Sequence, residues 1–240
     1  MPEPFQRIVR EVPQISLVML THNEAGRYLR PMLSACLPYI DSAVVIDDAS
    51  TDDTVAVLEE MLGDLPHCIA VNESNMFAQE GALRAKLWRL AIENDVDWML
   101  LLDADEILED GNQLRSLASN PDIDLYSFRL YDMWSATHYR SDALWRAHHH
   151  YFPRLLRHQP QFPYRLSMAA QHCGTIPVNA FALPNAIAAP RIRHMGWANP
   201  EDRRRKYERY MALDPQGRYG DMAQYRSILD EAPNLLAFEE

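Results

Sequence analysis

The chain of 240 residues is poor in cysteine, glycine and lysine: three cysteines, eight glycines, and only Lys86 and Lys206 as lysines among 23 cationic side chains. Cys36, Cys68 and Cys173 form no Cys-x-x-Cys pair and no zinc spacing, and an odd, scattered set argues against a disulfide framework. Long hydrophobic runs are missing too. Unbroken apolar stretches such as Trp98 to Leu102 are strand-sized, well short of the roughly 20 residues a bilayer core demands. Met1 to Gln14 carries Glu3, Glu11 and three prolines where a signal peptide needs an apolar run. These absences point to a soluble protein, cytoplasmic or peripheral at the inner face of the membrane. What is present is ordinary globular composition. With 48% hydrophobic and 10% aromatic residues, the chain can offset its ordering entropy by burial.

Charge is unevenly spread. Residues 1–110 hold 21 acidic and 7 basic side chains, net −14, whereas 111–240 hold 13 and 16, net +3. The overall −11 disfavours nonspecific nucleic-acid binding. The arginine bias suits bidentate phosphate binding, although genome composition produces the same bias.

Periodicity predicts an α/β chain. Ile15 to Leu20 is a short apolar, β-branched run ended by Thr21-His22-Asn23-Glu24, the pattern of a buried strand, a turn and a helix start, with the helix over 27–37. Ala43 to Ile46 repeats the pattern, running into Asp47 to Asp53, with a helix from Thr54 to Leu62 closed by Gly63. A short strand over 69–71, a helix over 79–93 with Leu83, Leu87, Leu90 and Ala91 on one face, and a strand over 98–102 follow. Strands alternating with helices imply a mostly parallel central sheet with helices on both faces. Beyond Asn120 the pattern loosens. Leu125 to Leu130 alternates like an exposed or edge strand, and Tyr131 to Pro163, rich in Trp, Tyr, His and Arg, reads as an irregular site-covering region. Asn199-Pro200-Glu201-Asp202 carries an N-cap, a first-turn proline and acids at the positive end of the dipole, predicting a helix over 200–213. The expected organisation is one domain, with 1–115 as the ligand-binding half and 116–240 as the acceptor-side and lid half.

Three strands end in polar clusters, at Thr21 to Glu24, Asp47 to Asp53 and Asp103 to Glu106. Ligands of an open parallel sheet bind outside the carboxyl ends of its strands, so the topology lines these clusters along one edge. Crowded carboxylates repel and need a cation or hydrogen-bond donors to stay ionised. Asp103-Ala104-Asp105 places two hard oxygen ligands where Mg2+ or Mn2+ could bridge them to phosphates.

The run Ile15 to Glu24, then Val45 to Asp52, then Leu101 to Glu106, in that order and spacing, resembles the family 2 glycosyltransferases of the GT-A fold, over about the first 115 residues. The resemblance implies transfer of a sugar from a nucleotide-diphosphate donor, with Mn2+ or Mg2+ as cofactor and an acceptor that is a glycan, a lipid-linked group or a protein. It matches Thr21, Asn23 and Glu24 to the first nucleotide-binding loop, Asp48 to the acid that contacts the base, and Asp103 with Asp105 to the metal-binding pair. Arg84 takes the place of a basic residue facing the donor; a solvated helix face is its alternative. Asp47, Asp52 and Asp53 read as helix caps. Arg191 to Trp197 and the basic helix that follows look like the His-x-Gly-aromatic segment of a bacterial branch of the family. There His194 would be a third metal ligand or a structural histidine, and Lys206 and Arg209 diphosphate clamps.

An inverting transferase needs a base within reach of the acceptor nucleophile. Three candidates stand in the order Asp142, His172, Asp202, with Asp132 as another from the aromatic segment. His172 resembles the histidine of a His-Glu pair whose glutamate is here Cys173; Glu201-Asp202 has the form of a Glu-Asp pair but also suits a helix dipole. Trp134, Tyr139, Trp145, Tyr151 and Phe152 could stack on a sugar, with core and lid packing as the alternative for Trp145 and Phe152. The sequence is also weighed against a haloacid-dehalogenase-type phosphohydrolase with Asp103 as nucleophile. Two strand units precede Asp103 and one lysine follows it, which fits that chemistry poorly. The glycine-rich loop of a sugar-nucleotide-forming nucleotidyltransferase is missing. A non-catalytic nucleotide-sugar-binding relative is a third alternative.

Overall fold

β1 (Ile15–Thr21) is buried at every position because helices cover both of its faces. Its odd-numbered side chains Ile15, Leu17 and Met19 meet Leu29, Met32 and Leu33 of α1 (Leu29–Cys36) and Val57 and Leu58 of α2 (Thr54–Leu62). Val18 and Leu20, pointing the other way as strand alternation requires, meet Leu83, Leu87 and Trp88 of α3 (Glu80–Glu93). The computed structural model describes residues 5–170 and 173–239.

β1 lies between two parallel neighbours, β2 (Ser42–Asp47) and β4 (Trp98–Leu101), and β3 (His67–Val71) extends the sheet beyond β2. The chain then turns at Asp103 into β5 (Glu106–Glu109) and α4 (Leu114–Ala118). β6 (Leu125–Asp132), the short β7 (His138–Arg140), β8 (Tyr151–Arg157) and β9 (Asn185–His194) follow. The result is one eight-stranded sheet in the order β3-β2-β1-β4-β8-β6-β9-β5. Four of its seven pairings are parallel (β1 with β2 and β4, β2 with β3, β6 with β9) and three antiparallel, so the first half is purely parallel and the second mixed.

The second half departs from the sequence expectation. β6 is an interior strand between β8 and β9, and its buried residues include Leu125, Tyr126 and Phe128; alternation misled because Arg129 and Tyr131 are the half-exposed positions near its end. β8 lies inside the segment read as irregular. Arg157, 1% exposed, satisfies its guanidinium on Asp124 and on three carbonyls while stacking 4.6 Å over Trp98, so a charge in the sequence disguised a central strand. Helix α1 starts at Leu29, later than the sequence suggested, and a 3-10 turn over Leu37–Tyr39 accommodates Pro38.

Beyond the sheet, α5 (Pro200–Leu213) begins where the Asn199 side chain accepts the Glu201 amide, and α6 (Met222–Ser227) and β10 (Leu235–Ala237) close the chain, β10 pairing with β7. Under α5 and α6, Trp134, Trp145 and Trp197 pack with Ile228. Arg140 and Arg203 stack on these indoles, each 4.8 Å from the Trp134 ring, which fixes α5 against the sheet end. Among the described residues no helix is long and apolar enough to cross a membrane.

Candidate active site

The carboxyl ends of β1, β2 and β4 sit side by side: Thr21 is level with Asp47, and Asp103 to Glu106 follow β4. Across the sheet, β6, β9 and β5 bring Asp132, His194 and Glu106 into one row, because Asp132 is the register partner of His194 and His194 that of Glu106. Asp103 and the row of Asp132, His194 and Glu106 line a cavity of about 480 Å³ that reaches to Trp145 and Trp197.

Asp105 is the centre of charge. Its Oδ2 stands 3.1 Å from Lys206 Nζ and 3.6 Å from His194 Nε2. Burial opposes its charge, yet Lys206 and His194 hold the carboxyl well below the usual range. His194 Nδ1 lies 2.8 Å from Asp132 Oδ1, which also accepts from Trp197 Nε1 at 3.1 Å, so the ring is oriented and its Nε2 aims at Asp105. Burial alone would lower the imidazole, but Asp105 outweighs it and the histidine is pushed up to about 10. Beneath these groups lies Gly196. A Cβ there would collide with Lys206 Nζ and Asp105 Oδ2 and come within 3.0 Å of His194 Nε2, so glycine leaves open the point where all three converge.

Arg84 does not lie on a solvated face. It is largely buried, donating to Glu80 at 3.2 Å and to Asp103 at 3.1 Å. Burial opposes its charge, but Asp103 and Glu80 raise its pKa. Glu106 is clamped from both sides by Arg154, at 2.9 and 2.5 Å.

Three of the four sequence-picked positions on the first two loops have partners within the protein. Asn23, at φ 54°, accepts the Thr51 amide at 2.8 Å and ties the first loop to the second. Asp48 is fully buried and accepts from Asn72 Nδ2 at 2.6 Å and the Met76 amide at 2.8 Å, fixing the segment after β3. Glu24 pairs with Arg27 through one oxygen, while its Oε2 and Thr21 Oγ1 are buried without a partner among the described residues. Two orphaned oxygens three residues apart, at the end of β1 and in the loop that follows, are costly unless a ligand satisfies them. Of the capping acids, Asp52 accepts the Thr54 amide at 3.0 Å at the start of α2, whereas Asp47 binds Ser50 within its own loop.

The C-terminal candidates separate. Lys206 enters the cluster, but Arg209, one turn on, is exposed with its guanidinium 5.3 Å from the Tyr210 ring centroid. Asp202 is buried between Arg205 and Arg27, the latter at 3.3 Å, so it joins α5 to the first loop. Asp142 is not in the cavity wall: it holds Arg140 at 2.6 Å and accepts the Leu144 and Trp145 amides. These contacts and Arg140 keep its carboxyl low despite partial burial. His172 lies outside the described residues. Trp145 is buried in the tryptophan cluster and Phe152 packs against the main core, as the packing alternative for them has it, and both also border the cavity. Sequence reasoning missed Asn72 and the Glu106–Arg154 pair. Asn72 carried a readable signal, being the first polar residue after a parallel strand; Arg154 carried none.

Among the described residues no three His, Cys, Asp or Glu side chains converge as a ready metal cage. Asp105 and His194 nevertheless fit a divalent ion. One offers a hard oxygen, the other a ring whose far nitrogen is fixed by a carboxylate, as metal-bound histidines usually are, and Gly196 keeps the space between them open.

The family model for glycosyl transferase family 2 matches residues 16–182, which include Thr21, Asp48, Asp103, Asp105 and Asp132 but stop short of His194 and Lys206. This chain belongs to glycosyl transferase family 2. The family 2 chain is 28% identical over 240 residues to uncharacterized proteins of Mycobacterium tuberculosis and Mycobacterium bovis, covering 89% of this chain and 54% of theirs. It thus spans about half the length of the curated relatives it matches. Among solved structures, S. aureus TarS superposes with a TM-score of 0.52 at 16% identity, over 90% of this chain and 42% of TarS. TarS 1–349 in complex with UDP-GlcNAc gives 0.51 at 16% identity, over 90% of this chain and 70% of that one. At such identity the likeness shows the fold: the mixed α/β, GT-A-type sheet.

Proposed function

We propose that this chain transfers a sugar from a nucleoside-diphosphate donor to an acceptor bound in the cavity, with inversion at the anomeric carbon. The observation that carries the reading is the convergence of Asp105, His194 and Lys206 over Gly196, with His194 also in the wall of a cavity large enough for a sugar residue. Family membership and the orphaned oxygens of Thr21 and Glu24 support it. The TarS complex with UDP-GlcNAc makes a uridine donor the natural first probe.

In this reading Asp105 and His194 would hold a divalent ion, Mn2+ or Mg2+, whose chemistry would be to offset negative charge on the departing diphosphate. Arg84 fixes Asp103 beside it, and Lys206 supplies a further cation to the phosphates. Phe152 and Tyr210, half-buried in the cavity wall, offer aromatic surface to the acceptor sugar. Asp132 is the base. It lines the cavity, its Oδ1 is fixed by His194 and Trp197, and its Oδ2 receives no hydrogen bond among the described residues. Asp103, Glu106, Asp142 and Asp202 are each paired with an arginine, and Asp105 with Lys206 and His194. The acceptor hydroxyl gives its proton to Asp132 as its oxygen bonds the anomeric carbon. The bond from that carbon to the diphosphate oxygen breaks, its electron pair leaving with the phosphate.

Calorimetric titration with UDP and with GDP, with and without Mn2+, tests the donor reading. Metal-dependent binding of at least one nucleotide is expected; binding of neither under any condition would remove it.

A further inference from the structure

Resting on that donor reading, we propose that Lys206 is an internal competitor for the cation at Asp105, so that metal and nucleoside diphosphate load together and each binds weakly alone. Lys206 Nζ sits 3.1 Å from Asp105 Oδ2 and 4.4 Å from the centroid of the Trp197 ring, in a side chain only 14% exposed. It occupies the very opening that Gly196 preserves, since a Cβ at Gly196 would strike both the ammonium and the Asp105 oxygen. An ammonium and a divalent ion cannot share that opening. To admit the ion, Lys206 must leave a carboxylate and an indole face, and a second anion has to receive it.

The lysine is suited to moving. Its four-carbon stem is flexible, its charge is compact, and it makes a single hydrogen bond in the described structure. Nor does it hold α5 in place. That helix is anchored by Asp202 on Arg27, by Arg203 on the carbonyls of Trp134 and Trp197, and by the Asn199 cap. A diphosphate arriving beside Asp105 brings the negative charge that draws Lys206 off the carboxylate, and the ion takes the oxygen thus released. The two ligands are then positively coupled, and by linkage each raises the affinity of the other by the same factor.

The test is Mn2+ binding, followed by the electron paramagnetic resonance signal of free Mn2+, for the native chain, Lys206→Met and Lys206→Gln, with and without saturating UDP. Arg204→Met, which removes an exposed cation of the same helix, controls for a general charge effect. Without UDP, both Lys206 variants are expected to bind Mn2+ on the order of tenfold more tightly than the native chain, and the gain in Mn2+ affinity caused by UDP shrinks accordingly. Arg204→Met stays within about twofold of native, as expected for a screened surface charge. Equal Mn2+ affinity in the native chain and both Lys206 variants overturns the proposal and leaves the donor reading standing. A gain as large in Arg204→Met as in the Lys206 variants overturns it too. Absence of Mn2+ binding in all proteins even with UDP removes the donor reading and this proposal with it. Thermal unfolding of each variant shows that the fold is retained; Lys206→Gln keeps part of the stem on Trp197 should Lys206→Met prove unstable.

Discussion

Asp132 and His194 close adjacent parallel strands, and the carboxylate Oδ1 meets the imidazole Nδ1 at 2.8 Å. The pairing fixes one oxygen of Asp132 and leaves the other without a hydrogen bond among the described residues, which separates a binding role from a proton-accepting one. Asp132→Asn keeps shape and an oxygen for His194 but cannot take a proton. Turnover should fall by about 10² to 10⁴, the usual contribution of a positioned base, while nucleotide binding changes little. Turnover within a fewfold of native would exclude Asp132 as the base.

Gly196 gives a second prediction. A methyl group at this position enters the space shared by Lys206 Nζ, Asp105 Oδ2 and His194 Nε2, all of them side-chain ends that can be pushed aside. Gly196→Ala should therefore fold, with an unfolding temperature near the native value, yet lose metal-dependent UDP binding. Calorimetry that finds native-like binding would show that the cation sits elsewhere.

How far the sequence could be read follows from where its information is local. The β1 to β4 half was legible because each strand is a compact apolar run with a polar end, and both signals lie within ten residues. Asp103 and Asp105 stand out in the sequence that way, whereas Lys206 is singled out only by the resemblance of the C-terminal basic helix. The second half was misread where a charge has to be satisfied across the fold: Arg157 in β8 answers to Asp124, and Arg154 to Glu106, over 33 and 48 residues of chain. The arginine partners of Asp142 and Asp202 were illegible for the same reason, since a carboxylate's partner arginine is invisible until the strands are assembled.

Glu24 should make stability depend on pH. Burial pushes its carboxyl up to about 8, against the pull of Arg27. Between its ordinary value near 4.5 and about 8, the folded protein keeps a proton that the unfolded chain has lost, so this group favours folding less as pH rises through that window. Glu24→Gln removes the effect. Its unfolding temperature should match native at about pH 5 and exceed it by several degrees at about pH 8.5, each pKa unit being worth about 1.4 kcal/mol. A difference that stays constant with pH would mean that the carboxylate is ionised throughout, held by Arg27.

Asp142 and Asp202 are expected to act on stability, each through a different arginine. Arg140, 3% exposed, keeps Asp230 and the Ser227 carbonyl when Asp142 is lost, so Asp142→Ala should cost only about 1 kcal/mol and leave turnover largely intact. Asp202 is the buried partner of Arg27, which also holds Glu24 beside the orphaned oxygens of the donor corner. Asp202→Ala should cost about 2 kcal/mol and also weaken UDP binding, because Arg27 then loses the contact joining α5 to the first loop. Urea unfolding curves paired with UDP titration separate the cases. If Asp142→Ala abolishes turnover without changing stability, Asp142 is returned to the chemistry and the assignment of the base to Asp132 fails.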